Sequence, residues 1–414
     1  MSMTSRRPVV ILGTLDTKAR EVDFVRQVVL EEGGVPLIID TGVLGRPGIS
    51  ADIGRQEVAE AGGSSIENLI AVGDKADALV VMGQGAARIL LRLLEEERLG
   101  GVISLGGSRG TAVSTRAMQA LPIGVPKLMV STMASGPMPF GPYVGTKDIT
   151  LMHSVADILG VNAVTGPVLR NAAAAITAMS RVGAPVAPGS RPALAATMLG
   201  TTTPLVDQIR SQMKEDGYDT VAFHATGTGG RSMEELIDQG VFRGVFDVTL
   251  TEIVAWLTDG PHSAGPGRME GATSRGLPQV IAPGGLDQII QGPPESVPPR
   301  YAGRKRILHT PRITVIRTSA QELTEAAGII AERLGRSDGP VAVVLPLRGF
   351  SVVSTEGQPL HDPQADRVFI ETITGALPSR VRIVELDTHI NDVKVATVAT
   401  DLMLEMLSDR QGGP

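Results

Sequence analysis

The sequence has no cysteine in 414 residues. That removes disulfides, thiolate metal sites and a cysteine nucleophile together, and it leaves the redox compartment unmarked. Aromatic residues are scarce, at 3%. No apolar run approaches the roughly 18 residues that cross a bilayer. The start, MSMTSRRPVVILG, has too short an apolar run for a secretory signal and turns polar at Thr14–Lys18. These absences predict a cytoplasmic chain with no membrane partner. Basic excess is also missing: the net charge is -6, which argues against a nucleic-acid partner, since such partners select a basic footprint. The 49 glycines follow no three-residue period, so the chain is not collagen-like.

What is present is an ordinary globular balance, 42% hydrophobic and 20% charged, with length for two to three domains. Short apolar runs alternate with helical patterns. In the first half, Val9–Leu12, Val35–Ile39, Ala78–Met82, Val102–Leu105 and Lys127–Val130 read as strands. Helical spacing covers Lys18–Glu31, Ala51–Ala61, Ala86–Arg98 and Thr111–Leu121, and the alanine-rich run Asn171–Ala178 reads as a packed core helix. Strands without polar alternation suit a parallel sheet covered on both faces. The pattern pauses at GAPVAPGSRP, residues 183–192, and then restarts. Strands follow at Ala193–Leu199, Thr220–Phe223, Gly244–Val248, Gln279–Ala282, Ile313–Ile316, Val341–Leu345 and Arg382–Leu386. The expectation is two α/β subdomains, residues 1–185 and 190–414, each a mostly parallel sheet covered by helices. Residues 292–311, rich in proline and arginine, read as an exposed excursion with a solvated charged face.

Many glycines fall at strand ends beside Ser and Thr. The first half offers Gly13-Thr14-Leu15-Asp16-Thr17, Gly83-Gln84-Gly85, Gly106-Gly107-Ser108-Arg109-Gly110-Thr111 and Ser131-Thr132-Met133-Ala134-Ser135-Gly136. The second offers Gly200–Pro204, His224-Ala225-Thr226-Gly227-Thr228-Gly229-Gly230 and Pro283-Gly284-Gly285. Open α/β sheets bind ligands outside the carboxyl ends of their strands. Glycine lets backbone N–H groups approach an anion, and the following helix start favours negative charge. A phosphate or carboxylate is the natural guest of Thr14, Asp16, Thr17, Gly106, Gly107, Ser108, Gly110, Thr111, Ser131, Thr132, Ser135, Gly136 and Thr226–Gly230. No G-x-x-x-x-G-K-[ST] and no G-x-G-x-x-G occurs, although Asp40 ends the second strand where a dinucleotide fold places its acid.

Three residues are candidates for chemistry. His224 ends a strand before a glycine loop and suits a general acid–base role. Glu252 follows another strand, either as a base or metal ligand or as a first-turn acid favoured by the helix dipole. Asp16 is either a ribose or metal-phosphate ligand or a helix cap. His262–Pro266 reads as a polar turn that could serve as a lid, and Asp387–Asp392 offers oxygen and imidazole donors without defining a metal site.

These stretches, taken in order, resemble a known family. GTLDTK (13–18), LGGSRGT (105–111), STMASG (131–136), DITLMHSVADILG (148–160) and VLRNAAAAITAM (168–179) carry the likeness in the first half. GTTTP (200–204), FHATGTGGRSMEELI (223–237), SAGPGRMEGA (263–272), GLPQVIAPGGLD (276–287) and ELDTHIND (385–392) carry it in the second. The chain resembles bacterial and fungal proteins similar to the N-terminal, ATP-binding inhibitory region of the tomato mosaic virus resistance protein. Arg109 departs from that pattern, where the family often has Gly. The resemblance implies two Rossmann-like subdomains, an ATP cofactor with or without Mg²⁺, and a homodimer or higher homo-oligomer. The resulting expectation is ATP held by strand-end loops in a cleft between the subdomains. Two alternatives stand beside it. One is an enzyme acting on a small phosphorylated or carboxylated metabolite through His224, Glu252 and Asp16. The other is an interaction module, as in the plant member.

Overall fold

The computed structural model describes residues 7–73, 75–135, 141–185, 189 and 191–411. Gly136 and part of the 183–192 segment lie outside the described residues. The chain divides into two compact units, Met1–Val186 and Ala187–Pro414.

In the first unit β1 (Val9–Gly13), β2 (Pro36–Asp40), β3 (Gly101–Gly106), β4 (Lys127–Ser131) and β5 (Thr150–His153) form one parallel sheet. Their order is β2-β1-β3-β4-β5. The helices are α1 (Ala19–Glu31), α2 (Arg55–Gly62), α3 (Ile66–Val72), α4 (Lys75–Glu95), α5 (Ser108–Gln119), α6 (Gly141–Val144) and α7 (Thr165–Met179). Side chains of β1 alternate between two cores. Val9 and Ile11 pack with Val22, Val25, Leu169 and Ile176 of α1 and α7. Val10 and Leu12 pack with Met82, Ile89 and Ala117 of α4 and α5. With both faces covered, every position of β1 is apolar or glycine, which explains its unbroken hydrophobic run. The strand order reverses between β1 and β3, so a crevice opens at their carboxyl ends.

Two expectations are corrected in this unit. Ala78–Met82 is not a strand but part of the 21-residue helix α4. Its buried residues Ala78, Met82, Ala86, Ile89, Leu90 and Leu93 step mainly by three and four, but the short run ALVVM satisfies either period. Gly83-Gln84-Gly85 therefore lies inside a helix rather than at a strand end. The glycine has a packing cause there: a Cβ on Gly85 would sit 1.8 Å from the Val58 carbonyl oxygen of α2, and one on Gly62 2.3 Å from that of Val81. The half-exposed edge strand β5 was not foreseen.

The second unit repeats the plan. Its main sheet holds β6 (Ala193–Met198), β7 (Asp219–His224), β8 (Phe242–Asp247), β9 (Gln279–Ile281), and later strands after an inserted meander of β10 (Gln288–Gln291), β11 (Arg306–Thr310) and β12 (Ile313–Arg317). The later strands are β13 (Val341–Pro346) and β14 (Arg382–Leu386). The sheet order is β14-β13-β9-β8-β6-β7, all parallel, and the meander β10-β12-β11 is antiparallel. The helices are α8 (Thr203–Glu215), α9 (Thr228–Asp238), α10 (Thr251–Leu257), α11 (Glu270–Ser274), α12 (Ala320–Gly335), α13 (Pro363–Ala376) and α14 (Val393–Gln411). Both units are thus helix-covered parallel sheets, as the alternation predicts. The 292–311 stretch is largely exposed, as expected, and is anchored at points. Tyr301 is buried, Arg300 donates to the Thr258 carbonyl at 2.6 Å and Arg304 to Glu322 at 2.7 Å. Among the described residues no helix is long and apolar enough to cross a membrane.

A buried ion pair joins β12 to α13: Arg317 lies 2.5 Å from Asp366. Burial pushes the Asp366 carboxyl up to about 6 against the pull of Arg317, and Asp287 adds to the rise. The folded chain therefore holds this proton where the unfolded chain has released it, and the contribution to stability falls as pH rises from about 4 to 6. Asp366→Asn should flatten that part of a plot of melting temperature against pH, and an unchanged slope would contradict the assignment. At the α2–α4 crossing, Gly85→Ala should destabilise by about 1–3 kcal/mol through overpacking, despite a helix propensity gain of nearly 1 kcal/mol. Urea unfolding that shows a more stable variant would refute the close-approach reading.

Candidate functional site

The crevice of the first unit is a cavity of about 500 Å³. Three loops and three helices enclose it. The turn after β1 supplies Thr14, Asp16, Thr17 and Lys18, and the β3–α5 turn supplies Gly106, Gly107, Ser108, Arg109 and Gly110. The loop after β2 adds Thr41–Leu44, while Leu69 of α3, Ala78, Leu79 and Met82 of α4 and Val113 of α5 form an aliphatic wall. All of these residues belong to the first unit.

The loops are held from beneath. Asp40, at the end of β2, accepts hydrogen bonds from the amides of Leu15 at 3.1 Å and Gly42 at 2.9 Å. Burial raises its carboxyl above the usual range, although those amides and Arg55 favour the charged form. Asp16 accepts from the Gly45 amide at 3.1 Å, and Arg55 donates to the Val43 and Gly45 carbonyls. Lys18 is engaged by the carbonyl of Ile158.

Helix α5 begins at this cavity with Gly107 as N-cap and no side-chain cap; α1 likewise begins at Lys18 without one. The amide of Thr111 bonds to the Gly107 carbonyl. The amides of Ser108, Arg109 and Gly110 meet no protein acceptor among the described residues, and Arg109 is exposed with no carboxylate partner among them. The first-turn donors of a helix need such acceptors. A Cβ on Gly106 would lie 3.0 Å from the Gly110 Cα, so this turn is tight, whereas one on Gly107 would meet only Thr132 Oγ1 at 3.8 Å.

The structure thus gathers Thr14, Asp16, Thr17, Gly106, Gly107, Ser108 and Gly110 around one cavity. Thr111 and Ser131 lie beneath it, fully buried, sharing a 2.6 Å hydrogen bond between their hydroxyls. Ser131 Oγ also accepts from the Met133 amide. Thr132 and Ser135 do not border the cavity.

The corresponding glycine loop of the second unit carries its own anion. Glu252, fully buried, accepts hydrogen bonds from the amides of Gly227 at 2.6 Å and Gly230 at 3.0 Å. A Cβ on Gly230 would lie 2.1 Å from Glu252 Oε2, so only glycine admits the carboxylate. Glu252 therefore caps a neighbouring helix, α9, rather than serving its own first turn, and its other oxygen accepts from Arg268 Nε at 2.8 Å. Arg268 also grips Asp247 through two hydrogen bonds, 2.6 and 2.7 Å, and reaches Glu234 at 3.2 Å. Burial opposes the guanidinium charge, but Asp247, Glu252 and Glu234 outweigh it and hold Arg268 firmly protonated. Burial likewise raises the Glu234 carboxyl, which the amides of Met269 and Gly271 partly offset. Three carboxylates facing one guanidinium are tolerable because these four amides share the excess negative charge.

His224 stands exposed at the end of edge strand β7, beside His262, whose imidazole is held below its usual range by burial and by His224. Thr226 and Thr228 flank that loop. The Asp387–Asp392 segment is bound to itself and to Arg348: Arg348 grips Asp387 at 2.6 and 2.7 Å, and Asp392 accepts from Thr388 at 2.6 Å. Among the described residues no group of three or more His, Asp or Glu is placed to share a metal ion.

Sequence reasoning missed Arg268 and the aliphatic wall. Nothing local couples Arg268 to Asp247, 21 residues away; the wall was hidden by reading Ala78–Met82 as a strand. Gly230→Ala should cost about 3–5 kcal/mol by unseating one member of this buried charge network. Thr228→Ala, at an exposed position, is the control. A parent-like unfolding midpoint for Gly230→Ala would show that Glu252 does not need its seat.

Comparison with known proteins places these features in a family. Residues 7–185 match the N-terminal domain model of an uncharacterised protein family, UPF0261, and residues 191–407 match its C-terminal domain model. A UPF0261 protein of Clostridium tetani is 41% identical over 402 residues, covering 97% of this chain and 99% of that protein. One from Rhizobium meliloti is 38% identical, covering 94% and 96%. The tomato protein named ToMV susceptible protein tm-1(GCR26) is 35% identical over 340 residues, 80% of this chain but 45% of its own length. With both domain models matched in order along nearly its whole length, the chain belongs to the UPF0261 family.

Proposed function

We propose that the first unit binds a phosphorylated small molecule in the crevice between β1 and β3, and that a nucleotide such as ATP is its ligand. One observation carries this reading. Two helices without side-chain caps, α1 and α5, start at the same cavity of about 500 Å³. That volume suits a ligand of nucleotide size. Aligned amides and the helix dipole favour a phosphate at such a start. The contrast with the second unit supports it: there the equivalent chemistry is completed by Glu252 from within the chain. Arg109 adds an exposed cation beside the amides. Asp16 offers a carboxylate at the same cavity for a ribose hydroxyl or for Mg²⁺ accompanying the phosphates.

Gly107→Asp tests the reading with little risk to the fold, because its Cβ has room. The new carboxylate becomes an N-cap for α5 and occupies the phosphate position with like charge. The variant should melt no lower than the parent, while the rise in melting temperature that ATP gives the parent is lost. Arg109→Ala should weaken binding about tenfold, the effect of one charge-assisted hydrogen bond. A parent that shows no shift with millimolar ATP, ADP or other nucleotides, with or without Mg²⁺, overturns the proposal.

A further inference from the structure

We infer that the aliphatic side of this cavity selects its ligand by shape, and that Leu69 sets how large the group held there can be. The inference rests on the nucleotide reading above and adds a specificity determinant to it. Leu69 is buried and forms part of the aliphatic wall. It also lines a second cavity of about 230 Å³, between α3 and α4, with Ser64, Asn68, Val72, Asp77, Val80 and Val81. One leucine side chain therefore borders both spaces.

The aliphatic residues that α3, α4 and α5 contribute to the cavity are Leu69, Ala78, Leu79, Met82 and Val113. None of these side chains donates or accepts a hydrogen bond, and Leu79, Met82 and Val113 lie beyond the first turns of α4 and α5, where amides and carbonyls bond within the helix. A site that reads a base edge needs fixed polar partners, and lacking them it discriminates weakly. What it does enforce is volume. Leu69 sits on α3, a seven-residue helix between Gly63 and Gly73, both in the left-handed region at φ 92° and 67°. The two glycines let the chain turn sharply at each end, and the burial of Ile66 and Leu69 fixes the segment against its neighbours.

Removing the leucine side chain joins the smaller cavity to the larger one, so a ligand with added bulk on its base should gain a place. The experiment is calorimetric titration of the full chain with ATP, GTP, CTP, UTP and N6-benzyl-ATP, using the parent, Leu69→Ala and the volume-conserving Leu69→Met. In the parent the four natural nucleotides should bind within about tenfold of one another, the limited discrimination of an apolar pocket. N6-benzyl-ATP should bind the parent and Leu69→Met at least about tenfold more weakly than ATP, and Leu69→Ala nearly as well as ATP, since only the last opens the space. If Leu69→Ala does not fold, Leu69→Val carries the same comparison with a smaller opening. A preference for ATP over GTP of about a hundredfold or more would overturn shape selection, because it requires hydrogen-bond readout. Failure of both small variants to gain the benzylated ligand would remove Leu69 as the determinant while leaving the nucleotide reading intact. Failure of every nucleotide to bind the parent overturns both.

Discussion

The amide groups at a helix start must find an acceptor, and in this chain that requirement organises both units. Each unit turns from a parallel strand into a helix through glycine-rich backbone, and each turn presents N–H donors at the carboxyl edge of the sheet. In the second unit the acceptor is Glu252, delivered by α10 and steadied by Arg268. In the first unit no side chain among the described residues caps the start of α5. The same local chemistry therefore has two outcomes, one closed by a carboxylate of the chain and one with its first-turn amides unpaired among the described residues.

Much of the sheet architecture was legible in the residues. Strands covered on both faces are mostly apolar, so Val9–Leu12 announced itself, as did Val102–Leu105 despite its buried Ser104, and the glycine turns after them marked the carboxyl edge of the sheet. Ala78–Met82 was not legible, because five apolar residues satisfy the strand and the buried-helix pattern equally. The error mattered, since that run supplies Ala78, Leu79 and Met82 of the aliphatic wall. The polar edge of the cavity, Thr14 to Thr17 and Gly106 to Gly110, was accessible to local reasoning. Its apolar side depended on how α3 and α4 pack, which no window of sequence encodes.

Glu252 shows a different limit. A carboxylate after a strand looks the same in sequence whether it meets substrate or an amide of its own chain. Its partners are Gly227, Gly230 and Arg268, separated from it by 16 to 25 residues. The glycine at 230 was visible, but its purpose was inverted: it clears space for an internal carboxylate, where the loop chemistry alone suggested a soluble anion. Asp40 behaves similarly, spending its charge on the amides of Leu15 and Gly42. In both cases buried acids organise loops.

The internal carboxylate has a consequence for how the two halves respond to their surroundings. A tethered group meets its site at an effective concentration fixed by chain connectivity, which dilution does not change. The second unit's α9 therefore keeps its counter-ion whatever solutes surround the protein, and its turn is saturated as soon as it folds.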